Sequence, residues 1–392
     1  MTLHEHQLWK KPLHHQELES ASNHVQWIEL FYDLVHVVMI FVLGNYLSAH
    51  MSVEGFLTFA GLFFCMMYSW GSVNVYNSIY VSTDLGHRVL MALHICTVMV
   101  MAAAVPGIEL KGWPFYVFAL GVNFALTGIM YSRARRSTTT SGGLALDAAI
   151  RNIGVGIFLM INALIPSQWS LLGVVLAIAF VQVSFFPKIG YMRFERFAPR
   201  MGHMVERLGL LMLIVLGEGF FKLVVTLADK GVYKVGPEVL TNFISGGLGI
   251  FVMAWIYFDF VGDQPVKRGN WRIVQWWMSH VFLMLAATVM GVSLAAEVKV
   301  GWFEPFPYKY AVIGCLGLAV YIAMLGVLQN AVEHRKSHDF ATPGLRGFGI
   351  SMALITLAMV PYVPTIISNV TWSIGLFSQA LVPYFRARRD LA

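Results

Sequence analysis

Ionisable residues inside apolar segments are the feature of this sequence that points to chemistry. Residues 28–48 are almost continuously apolar, yet they include Glu29, Asp33 and His36. Spacings of four and three residues place these side chains on one face of a helix. A charged side chain is costly in a membrane, so such a stripe is expected to face protein and to bind protons, ions or substrate.

A second apolar segment, 205–228, carries four ionisable residues: Glu206, Arg207, Glu218 and Lys222. In a helix Glu218 lies about 16 Å beyond Arg207, near the middle of a bilayer. Glu218 and Lys222 are four residues apart, in the order that favours an ion pair. At this depth burial and mutual attraction compete over protonation, so the pattern indicates a titrating role as readily as a structural pair.

Three further residues of this kind lie near the ends of other apolar segments: Arg88, Asp259 and His280. If their segments adjoin residues 28–48 and 205–228 in a bundle, these groups form one network with Glu29, Asp33 and Arg207. The alternative is a structural role, in which Arg207 pairs with Asp33 or Glu29 and only holds the helices together. The predicted proton or substrate pathway therefore consists of Glu29, Asp33, His36, Arg88, Glu206, Arg207, Glu218, Lys222, Asp259 and His280.

A metal site is the alternative for the buried histidines. His36, His94 and His280 with Asp33 offer nitrogen and oxygen ligands of the kind that transition metals prefer. No His-x-x-x-His spacing occurs within the apolar segments, and no phosphate-binding loop or nucleophile motif appears elsewhere. The sequence therefore predicts no metal and no cofactor.

The elements that position these residues are membrane helices. The chain has 392 residues, of which 57% are hydrophobic and 12% charged, against about 25% charged in soluble proteins. The long apolar runs exclude a barrel of short alternating strands. We predict an all-α polytopic membrane protein with about twelve transmembrane helices. Its segments are 28–48, 54–76, 88–106, 113–131, 148–165, 169–186, 205–228, 238–261, 275–296, 308–330, 346–363 and 366–385.

The orientation follows from lysine and arginine, which are in excess in cytoplasmic loops. Most of them fall in alternate loops on one side. The loops of the other side hold only Lys111, Lys230, Lys234, Lys299 and Lys309. Both termini are thus predicted to be cytoplasmic. The net charge of +6 is spread between apolar segments, so we expect contact with membrane lipids and not with nucleic acid.

The predicted organisation is a polar tail and two halves. Residues 1–27 form a solvated cytoplasmic tail, 28–200 a first six-helix half, and 201–392 a second half with a short basic end. The tail is rich in histidine, namely His4, His6, His14, His15 and His24. Weak similarities between the halves, such as Gly-Trp at 112–113 and 301–302, leave open two parallel six-helix repeats.

Several motifs together resemble the bacterial low temperature requirement protein A family. They are Glu-Leu-Phe-Tyr-Asp-Leu-Val at 29–35, His-Met-Val-Glu-Arg-Leu-Gly-Leu at 203–210 continuing to Leu-Gly-Glu at 216–218, Trp-Ile-Tyr-Phe-Asp at 255–259, and His280. The resemblance covers most of the chain. It implies a multi-span protein of the bacterial inner membrane that is associated with growth at low temperature, and it implies no particular substrate.

The resemblance also sorts the candidate residues. The resemblance strengthens the case for the four candidate residues that lie on the shared motifs, namely Asp33, Arg207, Glu218 and Asp259. Two positions depart from the family pattern: His36 stands where an aromatic residue is expected, and the residue after Glu218 is glycine where a small hydroxyl residue is expected.

Three functions are compatible with these residues. The favoured one is a proton-coupled secondary transporter of an unknown small molecule or ion, with Glu218 as the proton-binding acid and Lys222 as its partner. Asp33, Arg207 and Asp259 then form a cytoplasmic gate. The alternatives are an intramembrane enzyme that uses a metal or an acid-base pair on a lipid-like substrate, and a membrane sensor or scaffold. A homo-oligomer is left open.

Overall fold

The computed structural model describes residues 11–18, 25–136, 141–184, 199–334 and 336–390, and these residues are almost entirely helical. Each predicted apolar segment coincides with a helix of at least 17 residues. The helices are α1 (Trp27–Ala49), α2 (Val53–Ile79), α3 (Leu85–Ala104), α4 (Trp113–Arg135), α5 (Gly142–Asn162), α6 (Ser167–Ser184), α7 (Met201–Lys230), α8 (Pro237–Phe260), α9 (Asn270–Glu297), α10 (Tyr308–Ala331), α11 (Pro343–Met359) and α12 (Thr365–Asp390). A short helix, Lys336–Phe340, precedes α11. The all-α prediction is confirmed for this part of the chain.

Nine helical stretches among the described residues are long and apolar enough to cross a membrane. One of them, Leu85–Arg135, contains both α3 and α4. The Asn123 side chain on α4 donates to Thr97 Oγ1 on α3 at 2.7 Å, so these two helices lie side by side. Two helices are shorter but apolar, Ser167–Val183 and Pro343–Met359. The protein is a multi-span helical membrane protein, and the structure does not show the internal repeats.

A two-residue strand pair ties the chain before α1 to the end of α2. β1 (Leu13–His14) pairs antiparallel with β2 (Tyr80–Val81). His14 is buried, and its ring meets the Tyr80 ring edge-on at 5.8 Å. The expectation of a solvated tail is therefore wrong at His14, because backbone pairing and the aromatic contact hold it. His4, His6 and His24 lie outside the described residues.

The chain packs as two compact units. The first comprises Met1–Leu43, Gly61–Arg207 and Gly269–Val274, and the second comprises Gly44–Ala60, Leu208–Arg268 and Gln275–Ala392. Helices α1, α2, α7 and α9 each contribute residues to both units. The division into halves at residue 200 stays a prediction.

In the first unit, small residues let α4 and α5 approach closely. A side-chain carbon at Gly121 would lie 2.7 Å from the carbonyl oxygen of Gly156, and one at Gly156 would lie 2.7 Å from that of Gly121. In lipid, burial of apolar surface does not favour contact between helices, so such close backbone packing is a main source of helix association.

Asp84 caps the N-terminus of α3. Its carboxylate accepts hydrogen bonds from the backbone N–H groups of Gly86 and His87.

In the second unit, α11 and α12 are joined in a similar way. A side-chain carbon at Gly375 would lie 2.9 Å from the Met352 Cβ and 3.3 Å from the Gly349 carbonyl oxygen. Gln379 on α12 donates to the Leu345 carbonyl at 2.9 Å. Side-chain bonds of this kind and close contacts between small residues stabilise membrane helix pairs.

Candidate functional site

Helix α1 presents its charged stripe to the protein interior. Glu29, Asp33 and His36 are 3%, 0% and 0% exposed. The opposite face is apolar and exposed, with Leu30, Phe31, Leu34 and Val38 between 42% and 55% exposed. A helix with polar residues inside and apolar residues outside matches a lipid environment, so the spacing rule correctly predicts this face.

The first two turns of α7 supply the positive partners in the first unit. His203 Nε2 lies 2.8 Å from Glu29 Oε2, and Arg207 Nη1 lies 3.5 Å from the same oxygen. Arg207 Nη2 donates to Asp33 Oδ1. Trp70 on α2 donates to that oxygen at 2.7 Å. We call Glu29, Asp33, Trp70, His203 and Arg207 the charge cluster.

The charge cluster is buried and held by several polar contacts, but some of its polar atoms have no hydrogen-bond partner among the described residues. Arg207 is 0% exposed, and its guanidinium carbon lies 5.5 Å from the Trp70 ring centroid. Among the described residues, Asp33 Oδ2 and the Nε and Nη1 atoms of Arg207 have no hydrogen-bond partner. The Arg207 guanidinium thus contacts both Glu29 and Asp33. Asp33 and Arg207 each have polar atoms that could form a further hydrogen bond if the partners change.

A second polar layer in the first unit surrounds Tyr32. His36 Nδ1 lies 2.9 Å from the Tyr32 carbonyl oxygen, so this nitrogen carries the proton and Nε2 is left as an acceptor. The Tyr32 ring contacts the rings of His36 and His94 with centroids 4.7 and 6.0 Å apart. The His94 ring is fully buried and lies next to the Asn123 side chain of α4.

The metal alternative receives no support from this layer. The part of the chain that the structure describes contains no group of three or more His, Cys, Asp or Glu side chains that could hold a metal ion. His36 and His94 lie in the first unit, and His280 belongs to the second. The ligand set suggested by the sequence is therefore not assembled in either unit taken by itself.

The later turns of α7 carry the second ionisable pair, in the second unit. Glu218 is 0% exposed and Lys222 6%. Lys222 Nζ lies 3.5 Å from Glu218 Oε1 and donates to Asn45 Oδ1 on α1 at 2.7 Å. Among the described residues, neither carboxylate oxygen of Glu218 has a hydrogen bond. The ion pair predicted from the spacing of four is present, and Lys222 is the only polar partner of Glu218 in the part of the chain that the structure describes.

Glycines make room for this pair. A side-chain carbon at Gly44 would lie 2.7 Å from Lys222 Cε. One at Gly291 on α9 would lie 3.3 Å from the Gly219 Cα and 3.9 Å from Glu218 Oε2. Helices α7 and α9 therefore meet backbone to backbone beside the carboxylate, which explains why no donor side chain reaches it from that direction.

The remaining predicted residues have local partners or face outward. His280 is buried, with Nδ1 2.8 Å from the Trp276 carbonyl oxygen and Nε2 3.1 Å from the Tyr257 hydroxyl. Asp259 is exposed and accepts a hydrogen bond from Trp255 at 2.7 Å. Both are held by aromatic residues of their own helix or of its neighbour.

Arg88 and Glu206 are partly exposed, and neither forms an ion pair with another described residue. The structure thus brings together Glu29, Asp33 and Arg207 in one cluster, and Glu218 and Lys222 in one pair. The single network that includes Asp259 and His280 stays a prediction.

A family comparison covers all of these residues. The family model for the bacterial low temperature requirement A protein (LtrA) matches residues 24–381. The chain belongs to the LtrA family. A search of curated proteins finds no matching relative. The resemblance found in the sequence motifs is therefore confirmed, and this LtrA-family protein is a multi-pass membrane protein of a bacterial family.

The sequence did not predict three residues that contact the charged groups, namely Trp70, His203 and Asn45. For His203 a signal was available, because it lies four residues before Arg207 and so shares its helix face. Trp70 and Asn45 reach the charged groups from other helices. No spacing rule within one helix predicts such contacts.

Two buried charges of this LtrA-family protein are also absent from the residues predicted by sequence. Arg346, 5% exposed, donates to Gln329 and Gln379 at 3.1 and 3.0 Å and forms no ion pair with a described residue. Glu297 is the last residue of α9 and accepts a hydrogen bond from Asn369. Both residues lie at the ends of apolar segments. From sequence alone, a charged residue at such a position is assigned to the adjoining loop and not to the membrane interior.

Proposed function

We propose that this LtrA-family protein is a proton-coupled secondary transporter of a small molecule or ion, in which Glu218 binds and releases the coupled proton. The observation that carries the proposal is the Glu218–Lys222 pair, buried in a long apolar helix with no hydrogen bond to the acid among the described residues. Ionisable groups inside membrane helices are costly, and they commonly mark proton and ion pathways.

The geometry of the pair supports a change in protonation. Lys222 has a second partner in Asn45, at 2.7 Å, whereas its distance to Glu218 is 3.5 Å. The ammonium group can therefore stay with the amide oxygen while the acid takes up a proton. A fixed structural ion pair would instead hold its acid with additional donors.

The charge cluster supports the gate. Arg207 contacts both Glu29 and Asp33, and atoms on both sides of the Arg207–Asp33 pair retain unused bonding capacity. We propose that Arg207 moves hydrogen bonds from one of these acids to the other as the gate opens and closes. Asp259, the third gate residue expected from the sequence, belongs to the second unit and accepts a hydrogen bond from Trp255.

The proposed membrane arrangement has twelve spans with both termini in the cytoplasm of a bacterial cell. The twelve long helices and the uneven distribution of lysine and arginine support it. In this arrangement α6 and α11 complete the set as short or tilted spans. Two parallel six-helix repeats remain part of the proposal only.

The test is proton movement in vesicles. Purified protein is reconstituted into liposomes that contain a pH-sensitive dye, and a potassium gradient with valinomycin drives protons inward. Monovalent cations, amino acids and sugars are then added in turn outside. We expect protein-dependent proton movement that a coupled solute alters, and we expect Glu218→Gln to abolish both.

Glu54→Gln is the matched control, because Glu54 is an exposed acid in the first turn of α2. It should transport as the wild type does. Transport by Glu218→Gln equal to that of the wild type would reject the assigned role, and wild-type vesicles that move no more protons than empty ones under every condition would reject proton coupling.

A further inference from the structure

Glu297 ends α9 with a carboxylate that has no cationic partner. No lysine, arginine or histidine of the described residues forms an ion pair with it. Its side-chain hydrogen bond comes from Asn369 on α12. Asn369 is itself oriented by Ser373 and Ser245, whose hydroxyls lie 3.1 and 3.4 Å from its Oδ1. When this acid is ionised, its neutral neighbours leave one negative charge that a bound cation would balance.

A small cavity in the second unit adjoins this carboxylate. Its volume is about 30 Å³, which suits a single water molecule or a small ion. Besides Glu297 and Asn369, four hydroxyl residues line it, namely Ser293, Thr356, Thr365 and Ser368. All four are buried, between 1% and 7% exposed.

The hydroxyl groups are arranged to offer oxygen lone pairs. Ser293 donates to the Tyr310 carbonyl, Thr356 to the Met352 carbonyl and Thr365 to the Glu304 carbonyl, at 2.9, 2.8 and 2.7 Å. Since each of these hydroxyl hydrogens is already used, the oxygen can act only as an acceptor. The fourth hydroxyl, Ser368 Oγ, is buried and has no hydrogen-bond partner among the described residues.

We propose that this cavity is a binding site for one small monovalent cation of the Na⁺ class. Carboxylate and hydroxyl oxygens are the ligands of hard cations. A single carboxylate balances a single positive charge, so a divalent ion would leave a charge uncompensated. The site shares no residue with the charge cluster or with the Glu218–Lys222 pair, and it does not depend on the proposed transport function.

The test is binding of radioactive Na⁺ to the purified full-length protein in detergent at mildly alkaline pH. Thermal unfolding in sodium chloride, potassium chloride and choline chloride at equal ionic strength serves as a second readout. We expect saturable Na⁺ binding near one ion per chain, together with a rise in unfolding temperature that choline does not produce. Glu297→Gln should abolish both effects.

Ser368→Ala provides a milder variant in case Glu297→Gln fails to fold. It should weaken Na⁺ binding roughly three- to tenfold, the change expected for one lost neutral contact. Glu54→Gln is the matched control, because Glu54 is an exposed acid in the first turn of α2 that does not line the cavity, and it should bind Na⁺ as the wild type does. A wild type with no saturable Na⁺ binding, or binding that Glu297→Gln and Ser368→Ala both leave unchanged, overturns the proposal.

Discussion

The charge cluster and the Glu218–Lys222 pair are both buried and both use α7, but their bonding differs. In the cluster, Asp33 Oδ1 accepts from Trp70 and Arg207, and Glu29 Oε2 contacts His203 and Arg207. In the pair, the Glu218 carboxylate has one lysine at 3.5 Å and no hydrogen bond among the described residues.

This difference separates two uses of a buried charge. An acid with several donors is locked in its charged form, because losing that form would leave the donors unpaired. Glu218 has one lysine beside it, and that lysine also bonds to the neutral Asn45 amide, so fewer donors lose their partner when Glu218 takes up a proton. We therefore propose a fixed charge for the cluster and an exchangeable proton for the pair.

The largest effect is expected at the centre of the charge cluster. Arg207→Met leaves Glu29 and Asp33 buried without their guanidinium, and it should lower the free energy of unfolding by about 3–5 kcal/mol. Unfolding of the purified protein in mixed micelles measures this loss.

Arg133→Met is the matched control for that change. Its ion pair with Asp84 is partly exposed, since the Arg133 side chain is 28% exposed, and such pairs contribute about 1 kcal/mol or less. If the Arg207 and Arg133 variants lose equal stability, the cluster does not hold the fold in the way described.

A smaller loss is expected from Trp70→Phe. This change keeps most of the ring but removes the N–H that donates to Asp33 at 2.7 Å. A hydrogen bond to a charged group contributes about 1.5–3 kcal/mol, so the variant should unfold at a lower temperature than the wild type and above Arg207→Met. An unchanged melting temperature would show that Asp33 does not need this donor.

The smallest effect on stability is expected at the pair. Asn45→Ala removes the amide that accepts from Lys222 at 2.7 Å, and bonds of this kind in membrane proteins average about 0.6 kcal/mol. Transport should nevertheless slow, because Lys222 loses the neutral amide that holds its ammonium group while Glu218 takes up a proton. Proton movement in vesicles and unfolding in micelles, measured on the same preparation, distinguish this outcome from a general loss of fold.

Much of this organisation was accessible from the sequence because it is periodic. Apolar length predicts the twelve long helices, and spacings of three and four predict the buried face of α1 and the ion pair within α7. These properties depend on residues that are neighbours on one helix. Their prediction needs no knowledge of how the helices pack.

Contacts between helices were not accessible in the same way. Trp70 reaches Asp33 across 37 positions of sequence, Lys222 reaches Asn45 across 177, and Asn369 reaches Glu297 across 72. Apolar helices can pack in many arrangements that satisfy the same hydrophobic pattern, because lipid and helix surface are similarly apolar. The cavity beside Glu297 arises only from the packed arrangement of α9, α10, α11 and α12.

The most direct test of the exchangeable proton is a pH titration of the purified protein followed by infrared difference spectroscopy. Carboxylate and carboxylic acid absorb at separate frequencies, so the spectra report which acids change protonation. We expect a carboxylic acid signal in the wild type that is missing in Glu218→Gln and retained in Asp33→Asn. Identical spectra for the wild type and Glu218→Gln across the whole titration would contradict the assignment of the proton to Glu218.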